Sequence, residues 1–402
     1  MKSILRNIFM GGLVLCLALI LSIPSSVEAA EKSEIVFGAA VATTGKFSTE
    51  GSDSYRGMQL WIEDINAGGG IFVKNIGKKL PVRLIMYDDQ SDASTCAKLY
   101  ERLITVDNVD LLLPPWGSGN TFAATVVMEK HKYPTPLGSA ATEKLYERGF
   151  KYIFETCILT ETVATPGPDY LATIKDKIKG VAVLYENFIF TLSIKEFTEK
   201  KLKEKGFNIV LSEMYPLAAK EFSSVLVKVK SLNPDAIILV NLMPASLYFT
   251  RQMNELGIKP KFYLMNIGPI MKKEFIDALG PLSENIVENS FWHPDMPYKG
   301  AKEVGERYEK RFNRIPNSDA MHSYMAGQIL HQAIEKVGTL DREKLREVIS
   351  SSEFYTVGGP MKYNEAGINI HQTGSLIQVQ NGQRALVWPP NLANKKMIFP
   401  FR

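Results

Sequence analysis

The sequence predicts an α/β protein of two doubly wound lobes with mainly parallel sheets. Its 402 residues are too many for one ordinary core and enough for two. Short, continuously apolar runs alternate with stretches of helical periodicity, which is the pattern of parallel strands covered on both faces. The alternation comes in two successive sets, and each set is expected to form its own sheet.

The first set opens with the strand-like "EIVFGAAVAT" and the helical "SYRGMQLWIEDINAGGG", where Met58, Trp61, Ile62 and Ile65 share one face. "PVRLIMYDD" then precedes the helical "DASTCAKLYERLITVD", and "VDLLLPP" precedes "FAATVVMEKHK". "YPTPLGSAAT" and "KYIFET" close it. The second set begins at "GVAVLYEN", followed by the lysine-rich helix "IKEFTEKKLKEKG", and continues through "NIVLSEMYP", "DAIILVNL" and "KFYLMNIG". The tail holds the amphipathic "AKEVGERYEKRFN" and "SYMAGQILHQAIEKVG", then "LREVISSSEF". It ends in the strand-like "GSLIQVQNGQRALVWPP" with an Asn-Gly turn.

Residues 1–29 stand apart from the fold. "MKSILRN" is a basic start, "IFMGGLVLCLALILSI" an apolar core and "SSVEA" a small-residue site, so a signal peptide cleaved after Ala29 is expected, with a retained membrane anchor as the alternative. Cys16 lacks the small residues that precede a lipid-modified cysteine. Removing Lys2, Arg6 and Glu28 takes the formal charge from +4 to +3, near neutrality for this length and against nucleic-acid binding. Of the cysteines that remain, Cys96 and Cys157 show no framework spacing; export permits a disulfide, but both are expected to be free and buried.

Catalytic motifs fail on inspection. Six residues separate Gly38 from Gly45, too many for a phosphate loop, and Phe47 stands where a hydroxyl would hold magnesium. "WGSGN" is not a nucleophile elbow. His131, His293, His322, His331 and His371 are scattered without a metal-binding or triad spacing, so neither cofactor nor metal is expected. Asp88 and Asp89 in "YDDQSD" are expected to cap the next helix rather than bind metal.

Binding without catalysis suits the residues better. In open α/β sheets ligands sit beyond the carboxyl ends of strands. That rule gathers "ATTGKFSTEG", "LLLPPWGSGNT", "GSAAT" and "YENFIF" around one crevice. Gly117 permits close backbone approach, Ser118 offers a hydroxyl, the following helix offers its dipole, and Trp116 offers a flat wall. Ala140, Ala141 and Thr142 repeat the design. Neither loop carries Lys or Arg, which favours a carboxylate over a phosphate; the competing reading is that Ser118 or Asn120 is only a helix cap.

These motifs, in this order, resemble the periplasmic solute-binding proteins of the leucine/isoleucine/valine-binding type, the type I receptors of ABC importers. The resemblance runs from about Ile35 to Pro390 and is most specific at Ile65–Ile71, "INAGGGI". It implies two α/β lobes joined by three hinge crossovers: residues 30–157 with about 290–354, and residues 158–289 with about 355–402. It also implies a monomer in the periplasm that hands a small solute to an ABC permease at the inner membrane, without catalysis. By resemblance Ser118, Ala140 and Thr142 contact the ligand's carboxylate end, and Phe190, or the nearby Phe188, lies over it.

Three departures bear on the ligand. Phe190 lacks the hydroxyl that the family's aromatic residue provides. "YLMNIGPI" offers Asn266 where the family has an acid that pairs an amino group. Glu50 stands where an apolar residue is common; it supplies the missing counter-ion or is a rim charge, and the rim is expected. An unpaired ammonium in a dry cleft costs several kcal/mol. The ligand is therefore expected to be an aromatic or hydrophobic carboxylic acid, with a branched-chain or hydrophobic amino acid left open. Trp292 and Tyr298 are expected in hinge packing rather than stacking on the ligand. The rival readings are a ligand-sensing domain serving a signalling partner and, less well supported, a hydrolase.

Overall fold

The computed structural model describes residues 32–266 and 269–401, so the expected signal peptide, with Cys16 and Ala29, lies outside the described residues. The first lobe is laid down by β1 (Ile35–Val41), α1 (Ser48–Ala67), the short β2 (Ile71–Val73) and β3 (Lys78–Leu80), β4 (Val82–Asp88), α2 (Ala93–Thr105), β5 (Leu111–Leu112), α3 (Ser118–Lys130), β6 (Thr135–Leu137) and β7 (Ile153–Glu155). β1 lies between β4 and β5 and is parallel to both. β6 and β7 form a second parallel pair.

The chain then builds a second sheet from α4 (Thr160–Ala164), α5 (Pro166–Thr173), β8 (Val181–Glu186), α6 (Ile189–Glu204), β9 (Ile209–Tyr215), α7 (Ser223–Leu232), β10 (Ala236–Val240), α8 (Met243–Glu255), β11 (Phe262–Asn266), α9 (Lys273–Leu279) and β12 (Val287–Ser290). After α10 (Ala301–Phe312), α11 (Ser318–Val337), α12 (Arg342–Ser351) and the hairpin β13 (Glu353–Thr356)–β14 (Gly359–Lys362), it returns as β15 (Ser375–Gln380) and β16 (Gln383–Trp388). The seven strands run β16-β15-β12-β11-β10-β8-β9. β9, β8, β10, β11 and β12 are parallel, and β15 and β16 close the edge antiparallel. Asn381 and Gly382, both at positive φ, make the tight turn that "NG" announces.

Each sheet is covered on both faces. In the first lobe α1, α10, α11 and α12 bury Met58, Trp61, Tyr308 and Ile329 on one side, and α2 and α3 bury Tyr100, Leu103 and Met128 on the other. In the second, Phe222, Phe249 and Phe275 fill one face, and Tyr170, Leu171 and Ile194 the other. α1 and α11 meet so closely that a Cβ on Gly57 would stand 1.8 Å from the Ala320 carbonyl oxygen. Phe354, Val357, Met361 and Tyr363 also belong to the first core, so the stretch expected in the second lobe from 355 onward joins it only at Ser375.

Three connections cross between the lobes side by side. Glu155 N–H donates to the Gly367 carbonyl at 2.8 Å, Leu159 N–H to Gln372 at 2.7 Å, and the Ser375 hydroxyl to the Ser290 carbonyl at 2.9 Å. Trp292 is wholly buried in the first core, its indole N–H on the Val357 carbonyl at 2.9 Å, and Tyr298 touches both cores. Cys96 and Cys157 are free and buried, as the sequence led one to expect.

Candidate functional site

The carboxyl ends of the parallel strands of both lobes converge on one enclosed cavity. β5 delivers Trp116, Gly117 and Ser118; β6 delivers Ser139 and Ala141; β8 delivers Phe188 and Phe190; β10 delivers Leu242 and Met243. Lys272 stands just ahead of α9, and Phe291 lies on the crossover after β12. Ser318, Asp319 and His322 come from the first turns of α11, and Glu50 from the first turn of α1. The remaining wall residue is Cys157, at the first crossover. Phe47, Trp116 and Leu242 are buried together across the lobe boundary, with the rings of Phe47 and Phe188 5.5 Å apart.

Gly117 has φ 84° and ψ 140°, a conformation open only to glycine, and it turns β5 into the start of α3. Its own N–H is spent on the Ser139 carbonyl at 2.9 Å, which ties the two binding loops together. That amide is committed to the loop contact, while Gly117 itself lines the cavity. Ser118 is 3% exposed and, among the described residues, its hydroxyl has no protein partner. It opens a helix of 13 residues whose first-turn N–H groups lack intrahelical acceptors. Asn120 is not the cap: its amide donates to Asp89 at 2.9 Å. Asp88 accepts from Thr43 N–H, Thr44 N–H and the Thr44 hydroxyl, so it fastens the β1 loop, while Asp92 caps α2 by accepting from Thr95 N–H at 2.7 Å. The expected capping role thus belongs to Asp92, not to Asp88 or Asp89.

Of the residues singled out from sequence, Glu50, Trp116, Gly117, Ser118, Ala141 and Phe190 line the cavity. Ala140 instead packs into the first core, and Thr142 is wholly buried with its hydroxyl unpaired, just ahead of the Glu143–Leu145 turn. Asn266 is buried at the end of β11 with its amide oxygen on Asn289 and is not on the wall. Glu50 is not a rim charge. The helix begins at Ser48, before the Ser54 expected, which turns Glu50 inward to 7% exposure. There its carboxylate meets Lys272 Nζ at 2.7 Å.

Sequence reasoning missed Lys272, Asp319 and His322. Burial opposes the charge on Lys272, but the Glu50, Asp319 and Asp53 carboxylates outweigh it and hold the ammonium above its ordinary pKa. Asp319 accepts from the Trp116 indole N–H at 2.8 Å. Burial pushes its pKa up to about 6 against the pull of Lys272. His322 Nδ1 lies 3.1 Å from the Ser139 hydroxyl, and burial drops its pKa to about 3, so the ring is neutral. The signal available for Lys272 was a lysine in the loop "NIGPIMKKEF" that links a strand end to the next helix; for Asp319 it was the Asn-Ser-Asp helix start, which reads as a cap alone. Among the described residues no His, Cys, Asp and Glu group could hold a metal ion. Among them, too, no helix is long and apolar enough to cross a membrane.

Two α/β lobes on three crossovers, with an enclosed cavity at their facing strand ends, define a hinged solute-binding protein. The chain belongs to the periplasmic binding protein family, whose model matches residues 34–384. It is similar to Leu/Ile/Val-binding protein homolog 7 of Brucella abortus, 24% identical over 391 residues that cover 92% of this chain and 94% of that one. In fold it is similar to the branched-chain amino acid transporter substrate-binding protein of Streptococcus pneumoniae, solved in complex with isoleucine, with a TM-score of 0.79 and 20% identity over 89% of this chain and all of that one. It is also similar to an ABC transporter solute-binding protein of R. palustris solved with benzoate, with a TM-score of 0.76 and 19% identity over 88% of this chain and 95% of that one.

Proposed function

We propose that the protein is the exported, non-catalytic receptor of an ABC importer and closes its two lobes over a small carboxylate-bearing solute. The solute is a hydrophobic or branched-chain amino acid or an aromatic or hydrophobic carboxylic acid. The observation that carries this reading is the cavity itself: an apolar body of Trp116, Phe188, Phe190, Leu242, Met243 and Phe291, with its polar groups on the loops after strands and on the first turns of helices. A carboxylate end is served by the Ser118 hydroxyl, which has no protein partner among the described residues, and by the first turn of α3, while the Lys272 ammonium is held by Glu50.

Function follows from the division of the wall. Trp116, Ser118, Ala141 and Asp319 come from one lobe and Phe188, Phe190, Leu242 and Lys272 from the other, so a solute held by the first recruits the second and shifts the open–closed equilibrium. The closed form presents both lobe surfaces to the membrane permease in the periplasm, and the receptor works as a monomer. Family membership supports export and solute binding; the fold neighbours support the hydrophobic and aromatic ligand range. Calorimetric titration of the mature protein with L-leucine, L-phenylalanine, benzoate and 3-phenylpropanoate tests the reading. Saturable one-to-one binding of at least one, weakened about tenfold or more by Ser118→Ala, is expected. Absence of binding to all four, or turnover of any of them, contradicts it.

A further inference from the structure

The charges around the cavity do not balance. Glu50 and Lys272 neutralise each other at 2.7 Å, but Asp319 has no ion pair of its own. One of its oxygens takes the neutral indole N–H of Trp116, and it shares the field of the single Lys272 with Glu50. Glu50 and Asp53 both push against it, and Asp53 is itself satisfied by Arg56 at 2.5 Å and Asn317 at 2.6 Å. His322, the other titratable ring on the wall, is neutral and offers no positive charge. The enclosed space therefore holds two carboxylates against one ammonium. A half-buried carboxylate with one neutral donor is under-compensated once the lobes close over a solute, and a second anion brought into the same space worsens that.

The opposite end of the requirement is met on the same wall. Ser118, 3% exposed and without a protein partner among the described residues, faces the cavity from the start of α3, where an anion is favoured. A solute with a carboxylate toward Ser118 and a cationic nitrogen toward Asp319 satisfies both groups and brings no net charge. We infer that Asp319, at the start of α11, is the specificity-determining residue of this receptor and holds a cationic nitrogen on the bound solute. The expected family position after β11 is filled by Asn266, which is turned away into the second lobe, so the counter-ion has moved to the other lobe and another element. This inference rests on the receptor reading above and selects among its ligands: amine-bearing acids over their deaminated counterparts.

Matched pairs test it. Wild type and Asp319→Asn are titrated calorimetrically at pH 7.5 with L-phenylalanine against 3-phenylpropanoate, and with L-leucine against 4-methylpentanoate. In wild type the amino acid of at least one pair binds about tenfold or more tightly than its deaminated partner, because the analogue leaves Asp319 unpaired. Asp319→Asn keeps an acceptor for the Trp116 indole; it weakens the amino acid and strengthens or leaves level the deaminated acid. A merely structural role would weaken both members of a pair together. Deaminated acids that bind as tightly as the amino acids in wild type, or a preference that survives Asp319→Asn, overturn the role of Asp319 while leaving the receptor reading in place. No binding of any of the four overturns both.

Discussion

Lys272 Nζ lies 2.7 Å from Glu50 Oε1, and the pair joins the two lobes across the floor of the cleft. Lys272 precedes α9 in the second lobe, Glu50 sits in the first turn of α1 in the first, and both side chains are almost wholly enclosed. An ion pair in such a place holds the closed arrangement, and breaking one half of it leaves a charge stranded. Lys272→Met is therefore expected to cost on the order of 3–5 kcal/mol in chemical denaturation, and the double variant Glu50→Gln/Lys272→Met clearly less than the two single losses combined. Additive losses would mean that the two charges do not depend on each other.

Gly117→Ala is expected to cost roughly 1–3 kcal/mol, through backbone strain alone. A Cβ there meets no atom within 4 Å, so the penalty comes from φ 84° and ψ 140° rather than from a clash. Relaxing that strain would move Ser118, so ligand affinity falls with stability. An alanine variant with unchanged melting temperature and affinity would contradict the assignment.

Gly57→Ala acts by the other mechanism. The new methyl would enter the Ala320 backbone at 1.8 Å, so α1 and α11 must separate along a core that includes Trp61, Met321 and Ile329. A loss of about 2 kcal/mol or more in denaturant titrations is expected, with the slope unchanged.

Two groups give pH predictions of opposite sign. His293 is buried with its pKa lowered to about 3 by burial and then by Arg384. A depressed histidine contributes stability that is present above its unfolded value near 6.5 and is lost as pH falls toward 3. Between pH 7 and pH 5 His293→Gln should lose about 2 kcal/mol less than wild type. Asp319, raised to about 6, contributes stability that is complete below its unfolded pKa and is lost as pH rises through 6. Asp319→Asn should accordingly gain on wild type in moving from pH 5 to pH 7.5, by roughly 1 to 3 kcal/mol. Melting curves at pH 5, 7 and 7.5 check both, and parallel behaviour of either variant and wild type would contradict its assignment.

The sheets were legible because parallel strands buried on both faces leave continuous apolar runs, as in "AIILV" of β10 and "VAVLYE" of β8. The crevice was legible because its loops follow strand ends. What the sequence hid was direction. Glu50 and Asp319 look like surface or capping residues in one dimension, and only the packing of α1 against α11 brings both to the cavity. Lys272 stands beside Lys273 in the chain, yet Lys273 is exposed and paired with Asp277 while Lys272 is enclosed. Within one short turn Ala141 is on the cavity wall, while Ala140 joins the first core and Thr142 is wholly buried, a division that the run "GSAAT" does not announce.

The crystal structure of the mature protein grown with its tightest binder from the amino-acid and acid panel tests the central claim most directly. The account predicts closed lobes, the solute's carboxylate within hydrogen-bond reach of the Ser118 hydroxyl and its apolar body between Trp116 and Phe190. A solute bound outside the Trp116–Ser118–Lys272 cavity, or inside it with its apolar end against Ser118, would contradict the account.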